Sequence, residues 1–271
     1  MNLTEALRAA RVAGRSAVVP YVMVDRGRSS ALVPTITAFR DAGATALELG
    51  FPFSDPVADG PVLMAAAARS LTAGTNWADL LAACRRASRI LPTAVMTYAN
   101  PVWRRGLGSS MRELRSAGAT GLIVPDLSLE DSLEWRSAAS QAGLALVLLA
   151  APGTSSDRIV RIATASRGFL YLVGHYGTTG APVAGASVDL GPLVEHARAA
   201  VPTLPVLIGF GIRDRASVAR ALREGADGVV VATALEERLA AGASAEMLGL
   251  WLHDLVAVPL PRPPQVTPRR R

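Results

Sequence analysis

The sequence contains no lysine, one cysteine and three histidines among its 271 residues. The single cysteine, Cys84, excludes an internal disulfide framework and any site that needs several thiolate ligands. The histidines, His175, His196 and His253, lie far apart and lack the spacing of metal ligands, so we expect no metal site. Cys84 falls within a helical pattern and is predicted to be a small core residue.

The sequence also lacks any apolar run approaching the roughly 20 residues of a membrane span. Residues 1–6 lack the basic segment and apolar core of a signal peptide, so we expect a cytoplasmic protein. Half of the residues are hydrophobic and only 5% are aromatic. This composition suits one well-buried core, and the length is large for a single domain unless the fold is a barrel.

The excess of positive charge is concentrated at the C-terminal end. The net charge is +6, but four of the 28 basic residues lie in the proline-rich segment 258–271, which leaves 24 bases against 22 acids in the rest. The rest carries no basic stripe interleaved with aromatic residues, so we expect no nucleic-acid partner. Residues 1–257 are predicted to form one domain and residues 258–271 a disordered tail, with an anionic surface as an alternative partner for the tail.

Short apolar segments alternate with helical segments along the whole chain. The predicted strands are 17–24, 46–50, 94–98, 121–125, 144–149, 169–173, 206–209 and 228–231. The predicted helices are 3–12, 30–42, 62–73, 77–90, 110–117, 129–142, 156–165, 190–200, 217–224 and 234–241. Three helices end in a Gly-Ala pair beginning at Gly43, Gly118 or Gly225, where glycine can adopt the left-handed conformation that ends a helix.

Eight strands that are apolar on both faces, separated by helices, indicate a parallel sheet covered by helices. At this length the pattern predicts an α/β fold, a single (β/α)8 TIM barrel with an extra N-terminal helix. A doubly wound open sheet is the alternative. It normally carries a glycine-rich turn after the first strand, which residues 21–26 do not show.

Two acids stand out at the second strand, where Glu48 lies inside an apolar run and Asp59 lies on the following loop. In a TIM barrel the ends of the strands carry the active site, and desolvation raises the pKa of a buried glutamate into the range of a general acid and base. An aspartate there can hold a substrate N–H and stabilise developing positive charge. The alternative is structural: Glu48 pairs with an arginine, and Asp59 caps the next helix. Asp55 is expected to form a turn or to lie in an interface.

Backbone-rich turns follow the last three strands, at 176–181, 209–212 and 231–234. Loops after strands seven and eight, together with a helix N-terminus, commonly bind phosphate in such barrels through free N–H groups. Because the chain has no lysine, amide donors would supply most of that binding.

Five segments resemble the tryptophan synthase alpha subunit family. The longest is 48–61, which reads ELGFPFSDPVADGP, and the others are 96–101 (MTYANP), 124–127 (VPDL), 179–181 (TGA) and 209–212 (GFGI). The similarity extends from about residue 3 to residue 252.

The resemblance implies retro-aldol cleavage of indole-3-glycerol phosphate to indole and glyceraldehyde 3-phosphate. Glu48 would be the general acid and base, and Asp59 would hold the indole N–H. The other implied site residues are Tyr21, Tyr98, Tyr171 and Phe210 for the substrate, Gly180, Gly211, Ala232 and Thr233 for the phosphate, and Phe53, Asp55, Pro56 and Asn100 for a partner interface.

The implied partner is a tryptophan synthase beta subunit in an alpha2beta2 assembly. Pyridoxal phosphate is expected on that subunit and no cofactor on this chain. The loop 53–61 and the loop after the sixth strand would close over the site and face the partner.

The sequence departs from the family pattern at three places: Asp25-Arg26-Gly27 replaces a Gly-Asp-Pro turn, Met23 replaces a threonine, and Ala232-Thr233 replaces a Gly-Ser pair. His175 and Tyr176 also make the loop after the sixth strand bulkier than expected. These departures spare the two acids. Three alternatives follow: a stand-alone lyase that releases indole, a non-catalytic barrel that docks on and regulates a beta subunit, and another phosphosugar lyase or isomerase.

Overall fold

The computed structural model describes residues 1–174, 189–209 and 211–261. Eight parallel strands form a closed barrel in which each strand pairs with the next and β8 pairs with β1. The strands are β1 (Ala17–Met23), β2 (Leu47–Gly50), β3 (Thr93–Met96), β4 (Gly121–Ile123), β5 (Ala145–Ala150), β6 (Leu170–Val173), β7 (Val206–Gly209) and β8 (Gly228–Val231). The predicted TIM barrel is therefore confirmed.

Twelve α-helices and one short 3₁₀ helix (Arg26–Arg28) surround the strands within the described ranges. The α-helices are α1 (Leu3–Val12), α2 (Leu32–Asp41), α3 (Pro61–Thr72), α4 (Trp77–Ala87), α5 (Ala99–Arg105), α6 (Leu107–Ser116), α7 (Ser132–Ala142), α8 (Ser156–Ala165), α9 (Gly191–Ala200), α10 (Arg215–Arg223), α11 (Thr233–Ala240) and α12 (Ala245–Val256). The bounds of α1, α8, β7 and β8 match the prediction.

Two helices were missed. Strand β1 ends one residue earlier than predicted, and β3 and β4 each end two residues earlier. Helix α5 buries only Val102, so it has little apolar periodicity, and α12 exposes Met247 and Leu250, which obscures its apolar face. Strands β3 and β4 end at Met96 and Ile123. The strand ends were misjudged because apolar residues continue into the loops that follow.

The alternation of side chains along the strands divides the core into two layers. Outward residues such as Leu47 and Leu49 pack against the helices, whereas inward residues such as Phe169 and Leu207 fill the barrel. Leu3 of α1 belongs to the inner layer and is fully buried, so α1 contributes to the barrel interior. Burial of a leucine of this kind stabilises the fold by about 1.5–3 kcal/mol.

The Gly-Ala pairs after α2, α6 and α10 end those helices as predicted. Gly43, Gly118 and Gly225 have φ of 93°, 97° and 93°, a region that other residues rarely adopt. At Gly118 an added Cβ would also lie 2.1 Å from the Ser88 Oγ. Glycine at that position is therefore required both by its backbone conformation and by close packing.

The predicted boundary at residue 257 falls just after α12, but residues 262–271 lie outside the described ranges. The tail therefore stays a prediction. Within the described ranges, none of the helices is long and apolar enough to cross a membrane. Cys84 is fully buried, which confirms it as a core residue.

Candidate active site

Glu48 lies in the middle of β2, between Tyr21 of β1 and Ala94 of β3 in the strand register. Its neighbours Leu47 and Leu49 point outward into the helix layer, so alternation turns Glu48 into the barrel. The side chain is fully buried, and within the described ranges neither carboxylate oxygen has a hydrogen-bond partner. Desolvation, followed by the charge of Asp59, raises the pKa of Glu48 to about 8.

Asp59 lies on the loop between β2 and α3 and is 3% exposed. Its Oδ1 has no hydrogen-bond partner within the described ranges. Desolvation raises the pKa of Asp59 to about 6, and the Tyr98 hydroxyl offsets part of this rise. Because each buried carboxylate disfavours the charge on the other, Glu48 and Asp59 titrate as an interacting pair.

The loop that carries Asp59 is held by hydrogen bonds and by an aromatic stack. The Ala58 N–H donates to the Tyr98 hydroxyl at 3.1 Å, and the Asp59 N–H donates to the Pro56 carbonyl at 3.0 Å. The ring of Phe53 stacks on that of Tyr98, with centroids 5.3 Å apart. Asp59 is thus held through its own backbone and the preceding residues of the loop, and the Tyr98 hydroxyl also interacts with its carboxylate.

The structural alternative for Glu48, a pairing with an arginine, is wrong. Helix α3 begins after its N-cap Gly60, with Pro61 as its first residue, and capping by Asp59 stays a prediction. No arginine pairs with Glu48 in the part of the chain that the structure describes. Two buried carboxylates with unused acceptor atoms therefore remain at the C-terminal end of β2.

Three tyrosines predicted to contact a substrate are buried close to these acids. The pKa values of Tyr21 and Tyr171 are raised first by burial and then by the charges of Glu48 and Asp59. Burial and the charge of Asp59 likewise raise the pKa of Tyr98. The structure therefore brings Tyr21, Tyr98 and Tyr171 together with the acid pair.

Two strand-end glycines leave room for these tyrosines. A Cβ on Gly50 would lie 1.9 Å from the Tyr21 hydroxyl, and one on Gly209 would lie 2.2 Å from the Tyr171 hydroxyl. Sequence reasoning assigned Gly209 to a phosphate turn and overlooked this packing role, although a glycine at the end of a buried strand is itself a signal of close approach.

Only part of the predicted phosphate site can be placed. Gly180 and Phe210 lie outside the described residues. Gly211 has φ 70°, and an added Cβ there would meet no atom within 4 Å. Ala232 is the N-cap of α11 and Thr233 is its first residue, so the first N–H groups of α11 have no acceptor within the helix. These N–H groups follow β8, beside the Gly209 end of β7.

The predicted interface residues differ in their accessibility. Asp55 and Asn100 are exposed, Phe53 is half-buried and Pro56 is buried. Pro56 therefore supports the loop, through the bond that its carbonyl accepts from the Asp59 N–H, rather than presenting a surface.

A third buried acid, Glu236 in the first turn of α11, was not singled out from the sequence. It is 2% exposed, its Oε1 accepts a hydrogen bond from the Met23 N–H at 2.8 Å, and its Oε2 lies 3.7 Å from Arg69. Arg69 also lies 3.3 Å from Asp25, which is 7% exposed and accepts from the Gly27 N–H. Asp25 lies in the turn that differs from the family pattern, and it thus belongs to a network of ion pairs beside the acid pair.

The family model of the tryptophan synthase alpha chain matches residues 7–249. The alpha chain of Picosynechococcus sp. is 41% identical over 250 residues, covering 91% of this chain and 94% of the relative. That of Laribacter hongkongensis is 38% identical, covering 90% and 93%.

Solved structures of the same family share the fold. A structure of Mycobacterium tuberculosis tryptophan synthase superimposes with a TM-score of 0.85 at 33% identity, covering 96% of this chain and 98% of that one. The alpha subunit from Legionella pneumophila superimposes with a TM-score of 0.80 at 27% identity, covering 95% and 98%. Tryptophan synthase alpha chains cleave indole-3-glycerol phosphate and are lyases. The chain described here belongs to the tryptophan synthase alpha chain family.

Proposed function

We propose that this protein cleaves indole-3-glycerol phosphate to indole and glyceraldehyde 3-phosphate with Glu48 and Asp59 as its catalytic acids. The observation that carries the assignment is the pair of buried carboxylates at the end of β2, whose Oε1, Oε2 and Oδ1 atoms lack partners within the described ranges. A buried polar atom that the fold leaves unsatisfied is costly, and substrate groups would satisfy these atoms.

The two pKa values match two different tasks. With its pKa raised to about 8, Glu48 is protonated near neutral pH and can donate a proton to the indole ring carbon that carries the side chain. It can then take the proton of the adjacent side-chain hydroxyl, while the bond between the two carbons breaks and the aldehyde forms. Asp59, with a pKa of about 6, is ionised at pH 7 and can hold the indole N–H as positive charge develops on the ring.

The phosphate would be bound by amide donors at Gly211 and at the start of α11, since the chain has no lysine. Tyr21, Tyr98 and Tyr171 would enclose the indole ring. Gly180 and Phe210, which complete these predicted sets, lie outside the described residues.

A beta subunit in an alpha2beta2 assembly is the proposed partner, with pyridoxal phosphate bound to that subunit and no cofactor on this chain. The exposed Asp55 and Asn100 and the half-buried Phe53 would contribute to the interface, and a cytoplasmic location fits such a pathway enzyme. A stand-alone lyase is the second candidate, favoured by the departures at Asp25 and Ala232. The rate of indole release, measured with and without a beta subunit, separates the two candidates. An alpha subunit should release indole much faster in the complex, whereas a stand-alone lyase should need no partner.

The catalytic assignment is tested by Glu48→Gln, since an amide has a similar shape but cannot transfer a proton. Indole release should fall by about 10²–10⁴-fold, while indolepropanol phosphate still binds. Glu134→Gln, the same change at an exposed glutamate of α7, is the matched control and should retain lyase turnover. Turnover that survives in Glu48→Gln would refute the assignment.

A further inference from the structure

A separate cavity lies outside the barrel at the C-terminal end of β1, between α2, α3, α4 and α11. Its volume is about 70 Å³, which is room for several water molecules at roughly 10–15 Å³ each. It is open to solvent on one side. We call it the outer cavity, and we define it by Val22, Val24, Leu32, Ala83, Arg28 and Arg86, which are among the residues that line it.

The floor of the outer cavity is apolar. Val22 and Val24 point away from the barrel interior and belong to the outer core layer together with Leu32 and Ala83. All four are buried, and the Thr35 hydroxyl lies among the polar groups of the wall. Such a floor offers water few hydrogen bonds, so an apolar group would displace water from it favourably.

The acids at the inner wall are already compensated. Asp25 accepts from the Gly27 N–H at 2.8 Å and from Arg69 at 3.3 Å. Glu236 accepts from the Met23 N–H at 2.8 Å and lies 3.7 Å from Arg69. The short contacts of these two acids are made by Arg69 and two backbone N–H groups, with Arg28 farther away at 4.0 Å from Asp25. Within the described ranges Arg86 forms an ion pair with neither acid.

Arg28 and Arg86 both line the outer cavity, and each keeps N–H donors that form no short hydrogen bond within the described ranges. The Nη1 atom of Arg86 donates a hydrogen bond to the Ser29 carbonyl at 3.1 Å. This bond places the Arg86 guanidinium beside the turn that carries Arg28. Arg28 approaches Asp25 only at 4.0 Å, and its side chain is 35% exposed. Because a guanidinium has five N–H donors in a fork that matches carboxylate and phosphate oxygens, this pair is suited to hold an anionic head group.

We propose that the outer cavity binds a small organic anion, with its apolar body on Val22, Val24 and Leu32 and its carboxylate or phosphate group at Arg28 and Arg86. The third acid of the wall, Asp79, accepts a hydrogen bond from the Asn76 N–H in the cap of α4. The lining keeps a positive excess because it contains four arginines and three acids. The site lies on the other face of β1 from the acid pair. It is independent of the proposed lyase activity, because it requires neither Glu48 nor Asp59.

Titration calorimetry on the full chain tests the proposal with benzoate and phenyl phosphate as probes and benzyl alcohol as the uncharged comparison. At least one anion should bind saturably and more tightly than benzyl alcohol. Arg28→Met and Arg86→Met remove the charge and keep the apolar stem, and each should weaken that binding about tenfold or more. Ala82→Phe, which places a ring in the cavity, should abolish it. Which anion binds better distinguishes a carboxylate ligand from a phosphate ligand.

Arg40→Met is the matched control, because Arg40 lies on α2, one of the helices around the outer cavity, is 50% exposed and pairs with Asp41 outside the cavity. Its affinity for the probes should equal that of the unmodified protein. Saturable binding that persists in both Arg86→Met and Ala82→Phe would place the ligand elsewhere and refute the site. Absence of saturable binding of both anions up to about 10 mM, in protein that unfolds at its normal temperature, would also refute it.

Discussion

The hydroxyl oxygen of Tyr98 accepts a hydrogen bond from the backbone N–H of Ala58 at 3.1 Å, and Ala58 directly precedes Asp59. Tyr98 is the N-cap residue of α5, after β3, so this bond ties the loop after β2 to the end of the neighbouring strand. The same hydroxyl lowers the pKa of Asp59. One phenol therefore both positions the second acid and favours its ionised form.

Tyr98→Phe should move the acidic limb of the pH profile of lyase activity upward. The substitution removes the hydrogen bond that lowers the pKa of Asp59, while the desolvation that raises this pKa remains. It also leaves the Ala58 N–H without its acceptor, at a cost of about 1–3 kcal/mol if that group stays buried. The measurement is kcat/KM for indole release between pH 5 and 9. Phe53→Leu removes the aromatic stack but keeps the Tyr98 hydroxyl, and it should leave the acidic limb of the pH profile unchanged.

The unmodified enzyme should show a bell-shaped pH profile for kcat/KM. Ionised Asp59 is required, so activity should rise through its pKa of about 6. Protonated Glu48 is required, so activity should fall above its pKa of about 8. A profile that stays flat from pH 5 to 9 would contradict the assignment of these two roles.

Glu48→Gln should stabilise the fold, and more so as the pH rises. The pKa of Glu48 is raised in the folded protein from its ordinary value of 4.5 to about 8, so the folded state holds a proton that the unfolded chain releases. Stability from this group is fully present below about pH 4.5 and is lost as the pH rises toward 8. Each pKa unit corresponds to about 1.4 kcal/mol, which predicts a gain of several kcal/mol at pH 8 and little gain at pH 4.5.

Urea unfolding at the two pH values measures this difference. Glu134→Gln, which changes an exposed glutamate of α7, is the control. It should change the free energy of unfolding by the same small amount at both pH values. A gain for Glu48→Gln that is equal at pH 4.5 and pH 8 would mean that Glu48 is not desolvated.

Arg69→Met should destabilise the protein by about 2–4 kcal/mol. It removes the guanidinium that lies 3.7 Å from Glu236 and 3.3 Å from Asp25, and breaking a buried ion pair costs about 3–5 kcal/mol. The Arg69 side chain is 36% exposed, so water reduces the loss. Addition of Glu236→Gln should restore part of the stability, because the amide oxygen still accepts from the Met23 N–H without a charge.

The double-mutant cycle of Arg69 and Glu236 is measured by urea unfolding. Arg158→Met, which removes a solvent-exposed partner of Glu130, should have little effect. Additive losses in the cycle would show that Arg69 and Glu236 are not coupled.

Features with a local cause could be predicted from the sequence. Short apolar segments and helical periodicity predicted eight strands and placed the ends of β7 and β8 correctly, because side-chain burial repeats over a few residues. The glycines after α2, α6 and α10 marked helix ends, because a left-handed residue is needed there whatever surrounds it. A carboxylate inside an apolar strand identified Glu48, because its burial is costly unless the group has a task.

The tertiary structure decided which distant residues meet. The bond from Met23 to Glu236 joins positions 213 apart, and that from Ala58 to Tyr98 joins positions 40 apart. Closure of the barrel by the pairing of β1 with β8 brings Met23 beside α11, and the loop after β2 folds toward the end of β3. Such contacts depend on strand register and on where each helix packs. No local pattern encodes them, so the sequence could identify Glu48 and Asp59 as candidates but could not determine the surroundings that set their two pKa values.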